Sequence, residues 1–349
     1  EIVITAGEHT LGIRVASFQP RTDRQGDKRD SIQGVLVDAI SVRSGPLTRR
    51  FDRETPRAWP REKTGKYAAD APLPLDGVAG SWVCTRTLAC YPALANFHGA
   101  LRSTKELGGV QYLHFHGVGA WESVLNAVSL DGQPVLCDES RWYPYQVRTR
   151  AQVGPLDIEA TTRMVFADHG LLTRLELTNQ SEQPVIHLLE MNLQFWQGVK
   201  QPDPNTVVIP WQVPRVYHFT VAPDRVVTTN GVTLAQWKIS LPPHGSRELS
   251  FAMAMDKPFE QAVEKAQRWG TDFSNSFVHA KANWEKRWQD VFTPGNPSYS
   301  GCLPTLETDD DALRELYYLS IASLLETERD NLPAFKQCFI AAAPEWCRE

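Results

Sequence analysis

The chain has 349 residues, 42% of them hydrophobic and 22% charged, with a formal net charge of −5. That is enough apolar material for a sizeable core in one large or two ordinary domains. The mild acidic balance gives no electrostatic reason to expect nucleic acid or an anionic membrane as a partner, and no apolar run approaches the ~20 residues of a membrane-spanning helix.

Near the start, GVLVDAISVR at 34–43 reads as a strand. Residues 44–79 are polar and rich in Arg, Pro and Gly, and read as a long loop. The sequence opens on Glu1 rather than Met, so the compartment stays open between cytoplasm and periplasm. The cysteines, Cys84, Cys90, Cys137, Cys302, Cys338 and Cys347, show no CxxC spacing. Cys84 and Cys90 either close a small loop or stay as buried thiols, the expectation here being thiols.

The sheet signal is clearest from 124 to 255. VLNAVSL and PVLC flank the turn signal DG. GPLDIEATTRMVF turns at ADHG into LLTRLELT, which turns at NQSEQP into VIHLLEMNLQFW. RVVTTNGVTLAQWKISL carries a second turn signal, NG, and SRELSFAMAM closes the run. Strands joined by short turns, with no helix between them, predict an antiparallel meander folded into a two-sheet sandwich. In 185–196 one face carries Val185, His187, Leu189, Met191, Leu193 and Phe195, the set expected in the core. Ile186, Leu188, Glu190, Asn192, Gln194 and Trp196 fall on the other face.

From 257 the period changes. KPFEQAVEKAQRWG has helical spacing through Phe259, Val263 and Ala266, with Gly270 as the expected stop. FSNSFVHAKANWEKRWQDVF places Phe277, Trp284 and Trp288 on one stripe. After the linker TPGNPSYSG, residues 309–329 read as a third helix. Thr308 and Asp309 are its expected caps, and Asp310 and Asp311 sit in the first turn, where the helix dipole favours negative charge. The expected inward face is Leu313, Leu316, Tyr317, Ser320, Ile321 and Leu324, broadened by Tyr318, Leu319 and Leu325. A helix this apolar needs cover on most of its circumference, from its own chain or from the same helix of a second copy in a homodimer.

The order of these parts resembles the N-terminal half of a six-hairpin glycosidase: a large sandwich, helices bearing WEKRW, then SGCLPTLETDDDALRELYYLSIASLL. The resemblance implies a mainly β fold, with an antiparallel two-sheet super-sandwich of the galactose-mutarotase-like kind followed by C-terminal helices. It implies a sandwich domain at 1–255, linker helices at 256–300, and the first helix of an incomplete (α/α)6 barrel at 301–349. It further implies glycoside hydrolase or phosphorylase chemistry on an oligosaccharide or glycoside, without a cofactor. The family's catalytic carboxylates lie in barrel hairpins beyond these residues, so no residue here takes a catalytic role and the chain reads as truncated.

Three constellations stand beside that resemblance. His114 and His116 in GVQYLHFHGVGAWE are two apart, so on a strand they point the same way, as metal ligands must. With Gly108 and Glu122 they nearly match the cupin pattern, at a wider spacing and without its second half. They read either as ligands of a cupin-like metal enzyme or as hydrogen-bonded histidines, and no metal ligand is assigned. Glu159, Glu176 and Glu190 are expected on adjacent strands, either as paired acids or as an ion-pair ladder with Arg163 and Arg174. Trp196, Gln194, Asn192 and Glu190, with Arg174, have the composition of a sugar-contact strip, an aromatic face for stacking beside polar groups for hydroxyls. The same strip also reads as a surface covered by other protein, and that reading is favoured. If it is the site, the chain is a stand-alone carbohydrate-binding sandwich. RWYPYQ at 141–146 is a second aromatic cluster of the same ambiguity.

Overall fold

The computed structural model describes residues 71–85, 88, 91–194, 198–210, 213–229, 231–329 and 339–340. The expected strand at 34–43, the loop through residue 70, Trp196 and three cysteines (Cys90, Cys338 and Cys347) lie outside them.

After a single 3-10 turn at Leu75–Val78 the chain is almost wholly strand as far as Met255. The first strands are β1 (Val83–Cys84), β2 (Ala93–Ala95), β3 (Gly99–Ser103), β4 (Val110–Phe115), β5 (Gly119–Trp121), β6 (Val128–Leu130) and β7 (Gln133–Pro134). Longer strands follow: β8 (Glu139–Tyr143), β9 (Gln146–Val153), β10 (Leu156–Met164), β11 (Gly170–Asn179) and β12 (Val185–Gln194). Then come β13 (Lys200–Asp203), β14 (Thr206–Ile209), β15 (Arg215–Phe219), β16 (Arg225–Thr229), β17 (Val232–Leu241) and β18 (Ser246–Met255). Three helices follow, α1 (Phe259–Thr271), α2 (Phe273–Phe292) and α3 (Asp311–Thr327), and a short ribbon of β19 (Glu328–Arg329) with β20 (Phe339–Ile340).

The fold is mainly β, and every pairing is antiparallel. A nine-stranded sheet runs β1-β8-β9-β10-β11-β18-β15-β14-β13, a five-stranded sheet runs β16-β17-β12-β6-β7, and β2 to β5 form a four-stranded sheet. One apolar core lies between them. It takes Ile158, Leu171, Leu175, Phe251 and Met253 from the first sheet, Leu189, Met191, Trp237 and Ile239 from the second, and Leu101, Leu113 and Phe115 from the third. The turn signals hold at Asp131–Gly132, with φ +49° and +79°, and at Gly231, with φ +75°, conformations that favour glycine and asparagine or aspartate.

One expected hairpin is not a hairpin. NQSEQP carries the chain from β11 in the nine-stranded sheet to β12 in the five-stranded one, and β11 pairs instead with β10 and β18. The return from β17 to β18 crosses beside it. The backbone amide of Asn179 donates to the Gly245 carbonyl at 2.9 Å, and the buried Asn179 amide donates to Gln183 and Pro242 carbonyls at 2.8 and 3.0 Å. Two crossings share one corner because one asparagine satisfies the backbone of both.

The helices cover the outer face of the nine-stranded sheet. Ala262 and Ala266 of α1 pack on Ala252 and Ala254 of β18, with Trp269, Phe273 and Phe277 around them. Gly270 is not a stop: α1 runs on to Thr271, and a Cβ at Gly270 would collide with the His218 ring of β15. Phe259, expected inward, is exposed. On α2 the expected stripe is buried, and Trp284 and Trp288 anchor a second cluster with Leu73, Leu75, Phe97, Tyr143 and Tyr145. The Trp288 indole donates to the Leu73 carbonyl at 2.8 Å.

The cap of α3 is Asp310, which accepts from the amides of Ala312 and Leu313 at 2.9 and 3.1 Å. Its buried face is Tyr318, Ile321, Ala322 and Leu325, one notch round from the expected one. Tyr318 packs on Trp288 and Phe292, with ring centroids 6.0 and 5.6 Å away. A helix apolar all round has no unique inward face, so those two rings on α2 select it. Leu316 and Leu324 are left 61% and 53% exposed. Of the cysteines described, Cys137 is buried, its thiol pushed up to about 12 by burial, whereas Cys84 and Cys302 are exposed rather than buried.

Truncating a buried tryptophan removes its transfer energy and leaves a cavity. Trp288→Ala is therefore expected to destabilise the chain by about 3–5 kcal/mol, while Leu316→Ala stays within about 0.5 kcal/mol of wild type. Denaturant midpoints of the two variants check both.

Candidate functional site

Several buried titratable groups gather where the end of α3 meets the four-stranded sheet. Strand alternation sends Leu113 and Phe115 of β4 into the core and His114 to the other side. Pairing of Gly99 with Phe115 brings β3 so close that any side chain at Gly99 would strike the His114 carbonyl. His116 follows β4, and its amide donates to the His98 carbonyl at 2.9 Å. The rings of His114 and His116 stand edge to face, 5.3 Å apart. Burial, then the positive charges of His114, Arg329 and His98, hold His116 down at about 4, so its imidazole is neutral.

Glu326, Glu328 and Arg329 come to this place from the end of α3 and from β19. Burial pushes the Glu326 carboxyl up to about 8, against the opposing effects of Trp142, whose indole donates to it at 3.3 Å, and of Arg329. Arg329 is fully buried and donates to the carbonyls of Glu326 and Glu328 at 2.8 and 2.7 Å. Glu328 is paired with Arg287 and accepts from the Tyr299 hydroxyl at 2.8 Å. On the other side the His98 ring lies 5.3 Å from that of His169. His169 is 3.3 Å from Asp256, and Lys265 lies 2.5 Å from both Asp256 and Asp168. Asn96, fully buried, ties the two ends together: its amide donates to the Asp168 carbonyl at 2.7 Å, and its oxygen accepts from the amides of His98 and Gly99 at 3.2 and 3.0 Å.

A pair of carboxyl groups is what glycoside hydrolysis uses. Here both are sealed, Glu326 at 8% and Glu328 at 2% exposure, and Glu328 is consumed by Arg287 and Tyr299. The cluster is built as a joint between helix and sandwich. Among the described residues, the one group of three metal-ligating side chains is Asp168, His169 and Asp256. It excludes His114 and His116, and the Lys265 ammonium already lies against both its carboxylates. Among the described residues the sheets form no closed barrel.

The other candidates are dispersed. Glu159 and Glu176 face each other across β10 and β11, but Glu190 lies on β12 in the other sheet. Glu159 is gripped by Arg148 at 2.6 and 2.9 Å, and Arg174 pairs with Glu248 at 3.5 Å while its guanidinium stacks 4.6 Å over the Phe277 ring. Arg163 stacks 3.8 Å over the same ring. Arg174 is therefore packed under α2, remote in sheet order from the strip to which it was assigned. Within that strip, Glu190 is buried and accepts from Gln236 at 2.7 Å. Asn192 accepts from the Gln194 amide at 2.7 Å, and the Gln194 side chain donates to the Val124 carbonyl. Trp196 lies outside the described residues. From the RWYPYQ cluster, Trp142 joins the joint and Tyr143 and Tyr145 join the tryptophan cluster under α2.

Glu326 and Arg329 were not anticipated. The signal was present in LLETERD, where charges follow an apolar helix without a break, and such charges need buried partners if the helix docks.

No protein-family model matches the chain, and no curated protein matches it. Solved structures share parts of it. A protein described as a kojibiose phosphorylase, from the human microbiome, is 8% identical with a TM-score of 0.38, over 57% of this chain and 35% of its own. A polysaccharide lyase is 11% identical with a TM-score of 0.33, over 50% and 34%. A family GH92 α-mannosidase from Bacteroides thetaiotaomicron is 12% identical with a TM-score of 0.41, over 72% and 42%. By name all three are carbohydrate-active enzymes, and this chain spans well under half the length of each.

The joint titrates from both sides. Glu326 has a folded value raised to about 8, so the stability it permits is fully present below the ordinary glutamate range and is lost as pH rises toward 8. His116 is depressed to about 4, so stability is lost as pH falls from the ordinary histidine range toward 4. Glu326→Gln is expected to raise the melting temperature at pH 8 and leave it unchanged near pH 4. His116→Gln is expected to flatten the acid side alone. Melting curves at intervals from pH 4 to 9 read both.

Proposed function

We propose that this chain supplies the sandwich and linker helices of a carbohydrate-active glycoside hydrolase or phosphorylase, with the catalytic carboxylates on helical hairpins outside the described residues. The observation that supports this reading is the way α2 and α3 are seated. Trp284 and Trp288 lock the linker helix to the segment from Leu73 to Val78, and the Glu326–Arg329 joint fixes the end of α3 against the sandwich. A helix fixed at its buried end, with leucines along its open side, is laid out as one wall of a larger helical structure. The domain division at 255 and 300 belongs to the same proposal, as does an oligosaccharide or glycoside as ligand.

The sugar-strip alternative has less in its favour, because Glu190, Asn192 and Gln194 already hold protein partners. A homodimer through the exposed leucines of α3 also remains a proposal. Light scattering is expected to show association that Leu316→Glu with Leu324→Glu abolishes, and a monomeric wild type at high concentration overturns it.

With the catalytic carboxylates of this reading outside the described residues, the isolated chain is expected to show no turnover of aryl-glycosides, whether assayed with water or with phosphate as acceptor. Robust turnover that is lost in Glu190→Gln would move the active site into the sandwich and refute the reading.

A further inference from the structure

Arg215 opens β15 and points into the sandwich, on the face it shares with Tyr217 and Phe219. It is 1% exposed. Its guanidinium lies 3.7 Å over the ring of Trp121, the last residue of β5. Its Nε, Nη1 and Nη2 are all buried without a hydrogen-bond acceptor among the described residues, as are the Trp121 Nε1 and the Tyr217 hydroxyl. A cation–π contact offsets part of the desolvation of a guanidinium but satisfies none of its N–H groups. An ionised group buried in this way is strongly destabilising until it is paired.

Among the described residues nothing pairs it. Asp256 follows Met255, the β18 partner of Arg215, but its carboxylate turns to Lys265 and His169. Arg215 is flanked instead by Ile209, Met255 and Val213, all apolar. The donors are five and of one kind, so what completes them is an acceptor, and the fixed charge makes it an anion. Arginine's planar fork matches two oxygens of one carboxylate or phosphate. β5 ends at Trp121, β14 at Ile209 and β18 at Met255, and β15 begins at Arg215, so the group lies at an end of the sandwich, where loops carry binding functions.

We propose that Arg215, Tyr217 and Trp121 form an oxyanion-binding site at this end of the sandwich, for a ligand bearing a carboxylate or phosphate. The site does not depend on the glycosidase reading. The shared chemistry is a planar or tetrahedral oxyanion, and its source is either inorganic phosphate or an acidic sugar.

Melting temperature and calorimetric titration of the whole chain with sodium phosphate and with sodium glucuronate, against sodium chloride at matched ionic strength, test it. A saturable rise with phosphate alone assigns an inorganic ion. A rise with glucuronate, alone or with phosphate, assigns a carboxylate ligand. Arg215→Met, which removes the buried charge while keeping the stem, is expected to abolish the rise without lowering the melting temperature in chloride. Tyr217→Phe, the variant to use if Arg215→Met fails to fold, is expected to weaken binding about tenfold. No rise beyond that in chloride, or an equal rise in both variants, overturns the site.

Discussion

Four alanines set the distance on which the architecture depends. Ala252 and Ala254 of β18 meet Ala262 and Ala266 of α1 in one cluster, so the helix lies close against the sheet. β18 must be apolar on both sides to sustain this, with Leu249, Phe251, Met253 and Met255 facing the sandwich core. Antiparallel sheets commonly leave one face to water, and here the helices cover that face where α1 and α2 pack, while Glu176 and Glu248 on the same face stay exposed. It follows that β11 and β15, which flank β18, carry apolar residues outward as well, at Leu172 and Val216. The nine-stranded sheet is thus the middle layer of three, with the smaller sheets on one side and the helices on the other.

Several ion pairs at the margins of this layered body join the helices to strand ends. Lys265 of α1 gathers Asp168 and Asp256 from two strand ends. Arg287 of α2 gathers Glu328 beyond α3. In each case the helix supplies the cation and the strand or strand-end the anion. Removing one partner of such a pair leaves an uncompensated buried charge, which is far more destabilising than the pair is stabilising. These pairs therefore fix the placement of the helices more than they add to overall stability.

Alternation along the strands was legible because water and core impose it residue by residue: Leu189, Met191 and Leu193 are buried as their spacing requires. The DG and NG turns and the α2 stripe were legible for the same local reason. Strand neighbours were not, since alternation says which face is apolar and nothing about which strand lies alongside, and NQSEQP looks the same whether it closes a hairpin or crosses between sheets. The buried face of α3 was hidden by excess, because leucine appears on every side of it. Glu326 was hidden by separation, since the indole that receives it is 184 residues away. Nothing in RVYHF distinguishes a surface arginine from Arg215. Its burial is decided by Trp121, far upstream, and by the close approach of Gly119 to Val213, neither of which leaves a mark near 215.

The hydrogen bond from Trp288 to the Leu73 carbonyl joins residues 215 apart, and Lys281 reaches Asp76 across 205. The segment from Leu73 to Val78 therefore lacks its α2 partners until that helix has been synthesised, even though it emerges from the ribosome before any strand described here. Until then its apolar residues have only the partners that Phe97, Tyr143 and Tyr145 supply, and closing so long a loop is entropically costly. The seam between this segment and α2 closes late in synthesis. Chaperone dependence during synthesis, and proteolytic nicking near residue 75 in partly unfolded chains, follow from that order of events.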